Sequence, residues 1–146
     1  MNFPRILKKR KGYIDRIKPF MQKSVVKVLT GQRRVGKSFL LYQLIEEILA
    51  KEPDANIIYV NLEDFTFSSL QTAEDLHSYI ISHSKEKVKN YIFIDEIQDI
   101  PGFEKVIRSL LLNEDNDIYI TGSNAKMLSG ELATYLSGRY IEFKIY

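Results

Sequence analysis

The chain has 146 residues, of which 45% are hydrophobic and 27% charged, and its formal net charge at pH 7 is +2. This length and composition are typical of one soluble globular domain with a core of its own. The absence of cysteine excludes disulfide bonds and thiolate metal sites. No apolar run reaches the roughly 18 residues of a transmembrane helix, and the first residues lack the apolar core of a signal peptide. We therefore expect a cytoplasmic protein that has no membrane partner.

The small net charge conceals a basic N-terminal segment. Residues 1–27 contain nine Lys/Arg and one acid, a net charge of +8, whereas residues 28–146 contain 12 basic and 18 acidic residues, a net charge of −6. Such a segment is typical of a nucleic-acid contact or of a solvated terminus, and the charge pattern leaves both interpretations open. Apolar residues at helical spacing predict a short helix over residues 12–23, which Pro19 should break. We predict that residues 1–24 form this basic segment and short helix, and that residues 25–146 form the core domain.

Residues 31–38 read Gly-Gln-Arg-Arg-Val-Gly-Lys-Ser, which is the spacing of a phosphate-binding P-loop. Gly31 and Gly36 lack a Cβ, so the backbone can adopt positive φ and approach a polyphosphate closely. The N–H groups of such a loop form an anion-binding nest. Lys37 places a cation beside the β- and γ-phosphates, and the Ser38 hydroxyl can bind magnesium. The motif therefore predicts a site for ATP and magnesium.

The flanking sequence supports this prediction over a chance glycine turn. A β-branched apolar strand, residues 25–30, precedes the loop, and apolar residues at helical spacing follow it. The loop would then join a strand to a helix N-terminus, where the helix dipole favours phosphate. The residues predicted to bind the nucleotide here are Gly31, Gln32, Arg33, Arg34, Val35, Gly36, Lys37, Ser38 and Phe39.

A second strand and a second helix follow. Residues 56–61 are apolar and β-branched, which predicts a strand. We interpret the acidic loop after it as a connection held by two aromatic anchors, Phe65 and Phe67, and not as a functional loop. Thr72 is a typical N-cap, and it predicts a helix that extends to about residue 83.

Asp95 and Glu96 form the second motif that carries chemistry. They end a strand predicted over residues 91–96, and ligands of open α/β sheets bind at the carboxyl ends of strands. An acid in this position of a P-loop protein helps to hold magnesium, which fits Asp95. Glu96 would point differently and could act as the general base that activates water. Acids cap many strands, so the pair gains its meaning from the P-loop upstream.

The last third of the chain adds polar residues at two further boundaries. A helix begins near Pro101, and a strand predicted over residues 117–121 leads to Ser123 and Asn124. These two side chains could bind the γ-phosphate or the attacking water, or they could cap a helix predicted over residues 127–137. Arg139 follows that helix, at a boundary that we predict to lie on the nucleotide side of the sheet. The final strand is predicted over residues 140–146.

In combination, the motifs resemble the AAA+ superfamily. More narrowly, they resemble predicted bacterial and archaeal ATPases in which an N-terminal AAA domain precedes a C-terminal domain of unknown function. The residues that carry the resemblance are Thr-Gly-Gln-Arg-Arg-Val-Gly-Lys-Ser at 30–38, Phe-Ile-Asp-Glu-Ile-Gln at 93–98, Ile-Thr-Gly-Ser-Asn at 120–124 and Leu-Ser-Gly-Arg-Tyr at 136–140. They span nearly the whole chain.

The resemblance implies an α/β fold of three layers, with a parallel five-stranded sheet in the order 5-1-4-3-2 between helices. It implies Lys37, Ser38, Asp95 and Glu96 as the residues for ATP and magnesium. It places Ser123 or Asn124 in the sensor-1 position, and Arg139 where AAA+ proteins carry an arginine finger. A structural salt bridge would explain Arg139 as well.

One departure from the family bears on activity. AAA+ proteins usually continue into a helical lid, and the narrower family adds a further C-terminal domain. This chain stops at Tyr146, on its last predicted core strand, so we expect a fragment or a short form with an adenine site open on one side. Self-association or the missing domain are then the expected partners besides ATP and ADP.

Three functions remain in view at this point. The first is a magnesium-dependent ATPase with Lys37, Glu96, Asn124 and Arg139 as the catalytic candidates. The second is a nucleotide-binding switch or scaffold with little turnover, which the short chain favours. The third is a small-molecule kinase, and the adjacent Asp95 and Glu96 disfavour it because a kinase must exclude water rather than activate it.

Overall fold

The computed structural model describes residues 11–123 and 130–146, which form five strands and five α-helices. The strands are β1 (Val26–Thr30), β2 (Asn56–Asn61), β3 (Asn90–Asp95), β4 (Asn116–Gly122) and β5 (Tyr140–Lys144). The helices are α1 (Lys11–Ile17), α2 (Lys37–Lys51), α3 (Ala73–His83), α4 (Phe103–Leu110) and α5 (Gly130–Leu136).

All five strands are parallel and lie in the order β2-β3-β4-β1-β5. This is the predicted order 5-1-4-3-2 counted from the other edge, so the predicted sheet is confirmed. Parallel neighbours require crossover connections, and helices provide them on both faces. Strands covered on both faces must be apolar along their length. Accordingly, β3 and β4 in the middle of the sheet are buried at every residue.

Two hydrophobic clusters lie on opposite faces of the sheet. One packs α3, α4 and α5 against side chains such as Val28, Ile92 and Ile120. The other packs α1 and α2 against the alternate side chains of the same strands, which include Leu29 and Phe93. Adjacent strand residues point to opposite faces, so a single apolar run supplies both clusters. The predicted three-layer α/β/α sandwich is confirmed.

The element boundaries lie close to those expected. Thr72 caps α3 through a capping box, in which its hydroxyl accepts from the Asp75 N–H and the Asp75 carboxylate accepts from the Thr72 N–H. The predicted N-terminal helix ends at Ile17 and continues as one 3₁₀ turn that contains Pro19. Strand β5 ends at Lys144, two residues earlier than predicted. The predicted start of α5 and the first ten residues of the basic segment lie outside the described residues.

A buried ion pair fastens the N-terminal edge of the sheet. Lys27 on β1 and Asp117 on β4 are both fully buried, and Nζ lies 2.5 Å from Oδ1. Asp117 Oδ2 also accepts from the Tyr119 hydroxyl at 2.7 Å and from the Gln22 N–H at 3.0 Å. Burial lowers the pKa of Lys27, while Asp117 opposes the shift. The carboxylate thus ties the segment before β1 to the middle of the sheet.

We expect Asp117→Ala to lower the free energy of unfolding by about 3–5 kcal/mol, because it leaves the Lys27 ammonium buried without its counter-charge. Urea unfolding followed by circular dichroism measures the change. The matched control is Glu47→Ala, which breaks the exposed Lys18–Glu47 pair at 3.3 Å and should cost less than about 1 kcal/mol. Equal losses in the free energy of unfolding for the two variants would contradict a stabilising role for the buried pair.

Candidate nucleotide site

The candidate site lies at the carboxyl edge of the sheet, where β1, β3 and β4 end. Thr30, the last residue of β1, is paired with Gly122 of β4, and Ile94 of β3 is paired with Ile120 of β4. This register brings the P-loop after β1, the acids at the end of β3 and Ser123 after β4 to one place. Ser38 and Asp95 are 57 positions apart in the sequence, and Glu96 and Ser123 are 27 apart, so the parallel register is what assembles the site.

The P-loop between β1 and α2 uses positive φ at the positions that need it. Arg34 and Gly36 have φ of 69° and 91°. Gly31 is required for a different reason, because a Cβ built on it would lie 2.4 Å from the Ile145 carbonyl oxygen. Ile145 reaches this place because its N–H donates to the Thr30 carbonyl at 2.7 Å. The loop is therefore shaped partly by the chain that leaves β5.

Lys37 begins α2 and its side chain folds back over the loop. The residue is only 4% exposed, and Nζ donates to the carbonyls of Gly31 and Gln32, both at 2.7 Å. Burial lowers the pKa of Lys37, while the nearby Glu96 and Asp95 carboxylates oppose that shift. The structure thus places the Lys37 amino group against the backbone carbonyls of the P-loop.

Asp95, at the end of β3, is the acceptor for the hydroxyl groups around it. Ser38 Oγ donates to Oδ2, and Thr121 Oγ1 donates to Oδ1. The Tyr59 hydroxyl lies 3.4 Å from Oδ2 and 3.0 Å from the Tyr42 hydroxyl. Burial raises the pKa of Tyr59, and its neighbours Tyr42 and Asp95 add to the shift. Asp95 itself is 1% exposed, so hydroxyl donors take the place of solvent.

The oxygen atoms of Ser38 and Asp95 are of the kind that magnesium prefers as ligands. Mg²⁺ prefers oxygen ligands and is usually held by one or two carboxylates together with substrate phosphates. Ser38 and Asp95 supply a hydroxyl and a carboxylate next to the P-loop. Within residues 11–123 and 130–146, no group of three or more His, Cys, Asp or Glu could hold a metal ion alone. A site of this kind suits an ion that arrives with its phosphates.

Glu96 adopts the left-handed conformation, with φ of 59° and ψ of 49°. A non-glycine residue in this region costs about 1–3 kcal/mol. Its N–H donates to Thr121 Oγ1 at 2.9 Å, while its Oε2 accepts from Gln98 Nε2 at 2.5 Å and from Ser123 Oγ at 2.9 Å. The Glu96 carboxylate therefore has hydrogen-bond partners that differ from those of the Asp95 carboxylate. Asn124 lies outside the described residues.

Most of the other residues predicted to bind the nucleotide lie at the surface. Gln32, Arg33 and Arg34 are exposed. Arg33 forms an ion pair with Glu63, which follows β2. Phe39 is 37% exposed.

The acidic loop after β2 differs in part from its prediction. Phe67 packs edge to face on Tyr79 at 5.8 Å, so it is an anchor. Phe65 is 88% exposed and is not an anchor. Phe65 lies in a 3₁₀ turn capped by Asp64, and the turn directs its ring away from the core. Glu63 in the same loop contacts the P-loop through Arg33, which makes this loop part of the site's surroundings.

Arg139 lies at the opposite edge of the sheet, so its predicted place on the nucleotide side is wrong. Its carbonyl accepts from the Val26 N–H at 3.0 Å, at the start of β1. The five residues of β1 span about 16 Å, which separates Arg139 from its own P-loop. Because β5 is parallel to β1, a residue before β5 must lie at the amino edge. Among the described residues its side chain joins no salt bridge.

Three residues near the acids were not predicted as part of the site. Thr121 bridges Asp95 and the Glu96 N–H, Gln98 donates to Glu96, and Tyr59 lies beside Asp95. Thr121 and Gln98 lie within the motifs, so their positions offered a signal. Tyr59 belongs to a strand that reads as ordinary core, and only strand register places its hydroxyl at the acids.

Comparison with known proteins identifies the family. A family model described as "AAA domain" matches residues 23–146. The chain belongs to the AAA domain family. An uncharacterised protein of Haemophilus influenzae is 43% identical over 144 residues, which covers 94% of this chain and 35% of that protein. An uncharacterised protein of Methanocaldococcus jannaschii is 37% identical over 121 residues, which covers 82% of this chain and 26% of that protein.

Solved structures share the fold of this AAA domain. C. elegans PCH-2 matches with a TM-score of 0.64 at 14% identity, over 100% of this chain and 44% of that one. The Aeropyrum pernix ORC1 protein matches with a TM-score of 0.60 at 14% identity, over 99% of this chain and 46% of that one. At these identities the likeness shows the AAA+ P-loop fold alone. The chain spans about a third or less of these two sequence relatives. None of the helices described is long and apolar enough to cross a membrane.

We expect Gly31→Ala to abolish nucleotide binding and to destabilise the fold by about 1–3 kcal/mol, because the new methyl group meets backbone that cannot retreat. ATP titration calorimetry and urea unfolding measure the two effects. Gly12→Ala is the matched control, since a Cβ on Gly12 has no atom within 4 Å. Normal ATP binding by Gly31→Ala would contradict this account of the loop.

Proposed function

We propose that this AAA domain binds ATP with magnesium and hydrolyses its terminal phosphoanhydride bond. The observation that carries the proposal is the convergence at one sheet edge of a P-loop, a buried lysine and two acids with separate hydrogen-bond partners. Lys37 donates to the loop and Ser38 donates to Asp95, while Gln98 and Ser123 donate to Glu96, the residue after Asp95. Their chemistry matches what phosphoryl transfer requires, which is positioning and charge stabilisation.

The P-loop and Lys37 would bind the phosphates. The loop N–H groups present an anion-binding nest. The Lys37 ammonium now donates to two carbonyls of its own loop, and a phosphate oxygen would replace them as a stronger, charge-assisted acceptor. Gln32, Arg33, Arg34, Val35 and Phe39 would complete the walls of the site.

Ser38 and Asp95 would hold the magnesium ion. The ion would neutralise charge on the β- and γ-phosphates when it is bound. Asp95 is held at both carboxylate oxygens before any ligand arrives, because Thr121 and Ser38 donate to different oxygens. The carboxylate therefore needs little reorganisation on binding.

Glu96 would accept the proton of the attacking water. Its Oε2 accepts from Gln98 and Ser123, so these two donors fix the orientation of the carboxylate. A general base must lie within hydrogen-bond reach of the proton that it removes. Ser123 acts here through Glu96, and Asn124 stays a prediction for the γ-phosphate contact.

A switch or scaffold with little turnover is the second candidate. The same two donors to Glu96 Oε2 favour it, since they compete with water for the carboxylate. Self-association or nucleic acid would then be the partner that relieves the block. Nucleic acid is suggested by the basic N-terminal charge, and the Aeropyrum pernix ORC1 neighbour was solved in complex with DNA. We place either function in the cytoplasm.

Two substitutions separate these functions. We expect Lys37→Ala to abolish ATP binding, because the phosphates lose their buried counter-charge, and Lys51→Ala at the far end of α2 to leave it unchanged. Glu96→Gln should keep ATP binding and lose phosphate release, since the amide cannot accept the proton. Calorimetry and a phosphate assay give the two readouts. Wild-type ATP binding without any phosphate release would favour the switch, and no ATP binding by the wild type would overturn both.

We expect Arg139 to act only across a subunit interface, since it lies at the edge opposite to its own P-loop. An arginine finger contributes roughly 10³–10⁵ in rate. Arg139→Ala should therefore lower phosphate release by that order in an assembled form and leave the monomer unchanged. The exposed Arg108 on α4 provides the control variant Arg108→Ala. Equal losses in monomer and assembly would contradict the interface role.

A further inference from the structure

Tyr59 places a hydroxyl group next to the proposed magnesium ligand Asp95. It lies on β2, the edge strand, in register with Phe93 of β3, and two residues before Asn61, which is in register with Asp95. Its side chain packs on the α2 face of the sheet. The hydroxyl oxygen lies 3.4 Å from Asp95 Oδ2, the same oxygen that accepts from Ser38. Tyr59 therefore brings a side-chain hydroxyl group from β2 to the Asp95 carboxylate.

Tyr42 makes the arrangement directional. It lies on α2, one turn after Ser38, and its hydroxyl oxygen is 3.0 Å from that of Tyr59. A phenol has one proton to donate and lone pairs to accept. The single proton of Tyr59 has two acceptors within reach, the Tyr42 hydroxyl at 3.0 Å and Asp95 Oδ2 at 3.4 Å. Because a carboxylate is the stronger acceptor, we assign the Tyr59 proton to Asp95 and the Tyr42 proton to Tyr59. In this arrangement the proton of each tyrosine hydroxyl has an acceptor: Tyr42 donates to Tyr59, and Tyr59 donates to Asp95.

The hydroxyl of Ser38 cannot fix Asp95 by itself. Under the proposed function Ser38 also binds the ion, so its oxygen is shared between metal and carboxylate. Thr121 fixes the other carboxylate oxygen, Oδ1. Rotation of the carboxylate about its Cβ–Cγ bond is then limited at Oδ2 by Tyr59. The distance of 3.4 Å is longer than is usual for a hydroxyl donor, and the same oxygen also accepts from Ser38.

We propose that Tyr59 is a positioning residue for the magnesium site, which orients the Asp95 carboxylate through its hydroxyl group and is itself oriented by Tyr42. This inference rests on the proposed binding of ATP with magnesium. Partners that orient a metal ligand typically contribute 10–100-fold to metal affinity. The substitution Tyr59→Phe removes the hydroxyl and retains the ring, which packs on Tyr42 with centroids 5.2 Å apart.

The experiment measures the factor by which magnesium tightens ATP binding. ATP is titrated into the full chain by calorimetry, once with excess magnesium chloride and once with EDTA, and the ratio of the two dissociation constants is taken. This ratio is an equilibrium quantity that needs no turnover. For Tyr59→Phe we expect the ratio to fall by roughly 10-fold, with ATP affinity in EDTA unchanged. Tyr42→Phe should produce a smaller fall, because Tyr59 keeps its own proton.

The matched control is Tyr91→Phe. Tyr91 lies on the same face of the sheet, but its hydroxyl donates to Glu52 near the amino ends of the strands, away from Asp95. Its loss should lower stability without changing the ratio, which separates the role at the metal from a general loss of a buried hydroxyl group. Urea unfolding of all variants verifies that each is folded under the conditions of titration.

A reference variant distinguishes failure of this inference from failure of the proposed function. Asp95→Asn should lower the ratio by at least as much as Tyr59→Phe. If Asp95→Asn lowers it and Tyr59→Phe does not, the inference is overturned and the nucleotide site stands. If magnesium does not tighten ATP binding by the wild type at all, the magnesium site and the role of Tyr59 are both overturned.

Discussion

The buried carboxylate of Asp95 is the constraint on which the candidate site depends. A carboxylate removed from water is costly unless donors replace its hydration. Here the donors come from three elements: Ser38 from α2, Thr121 from β4 and Tyr59 from β2. Satisfying this one group requires the P-loop helix and two strands to meet at the end of β3. The same hydrogen bonds therefore offset the cost of burying Asp95 and hold the elements of the site together.

The two edges of the sheet solve opposite problems. At the amino edge, Lys27 and Asp117 neutralise each other within the core, where both side chains are fully buried. At the carboxyl edge, the polar groups satisfy one another through bonds that a ligand can take over. Lys37 donates to its own loop, and Ser38 donates to Asp95. The buried ion pair thus stabilises the fold at the amino ends of the strands. The polar groups that could exchange partners lie at the carboxyl ends, where ligands of open α/β sheets bind.

Local patterns in the sequence predicted the helices and strands, and they predicted the P-loop and the two acids of the site. The predicted bounds of β2 agree with the structure, and Thr72 caps α3 as its residue type indicated. The P-loop, Asp95 and Glu96 lie together at the carboxyl edge. The strand order came from the family resemblance, because periodicity alone does not specify which strands are neighbours. Local propensity and helix or strand periodicity depend on nearby residues, so one chain suffices to reveal them.

Only the tertiary structure decided which side chains meet. The sequence by itself determined an α/β chain with a P-loop and an acidic strand end, because those features are contiguous. It could not place the Tyr59 hydroxyl beside Asp95 or Arg139 at the amino edge, because both follow from parallel register between distant strands. A shift of one residue would turn the Tyr59 side chain to the other face of the sheet. Contacts between distant residues depend on register and strand direction, which local patterns do not contain.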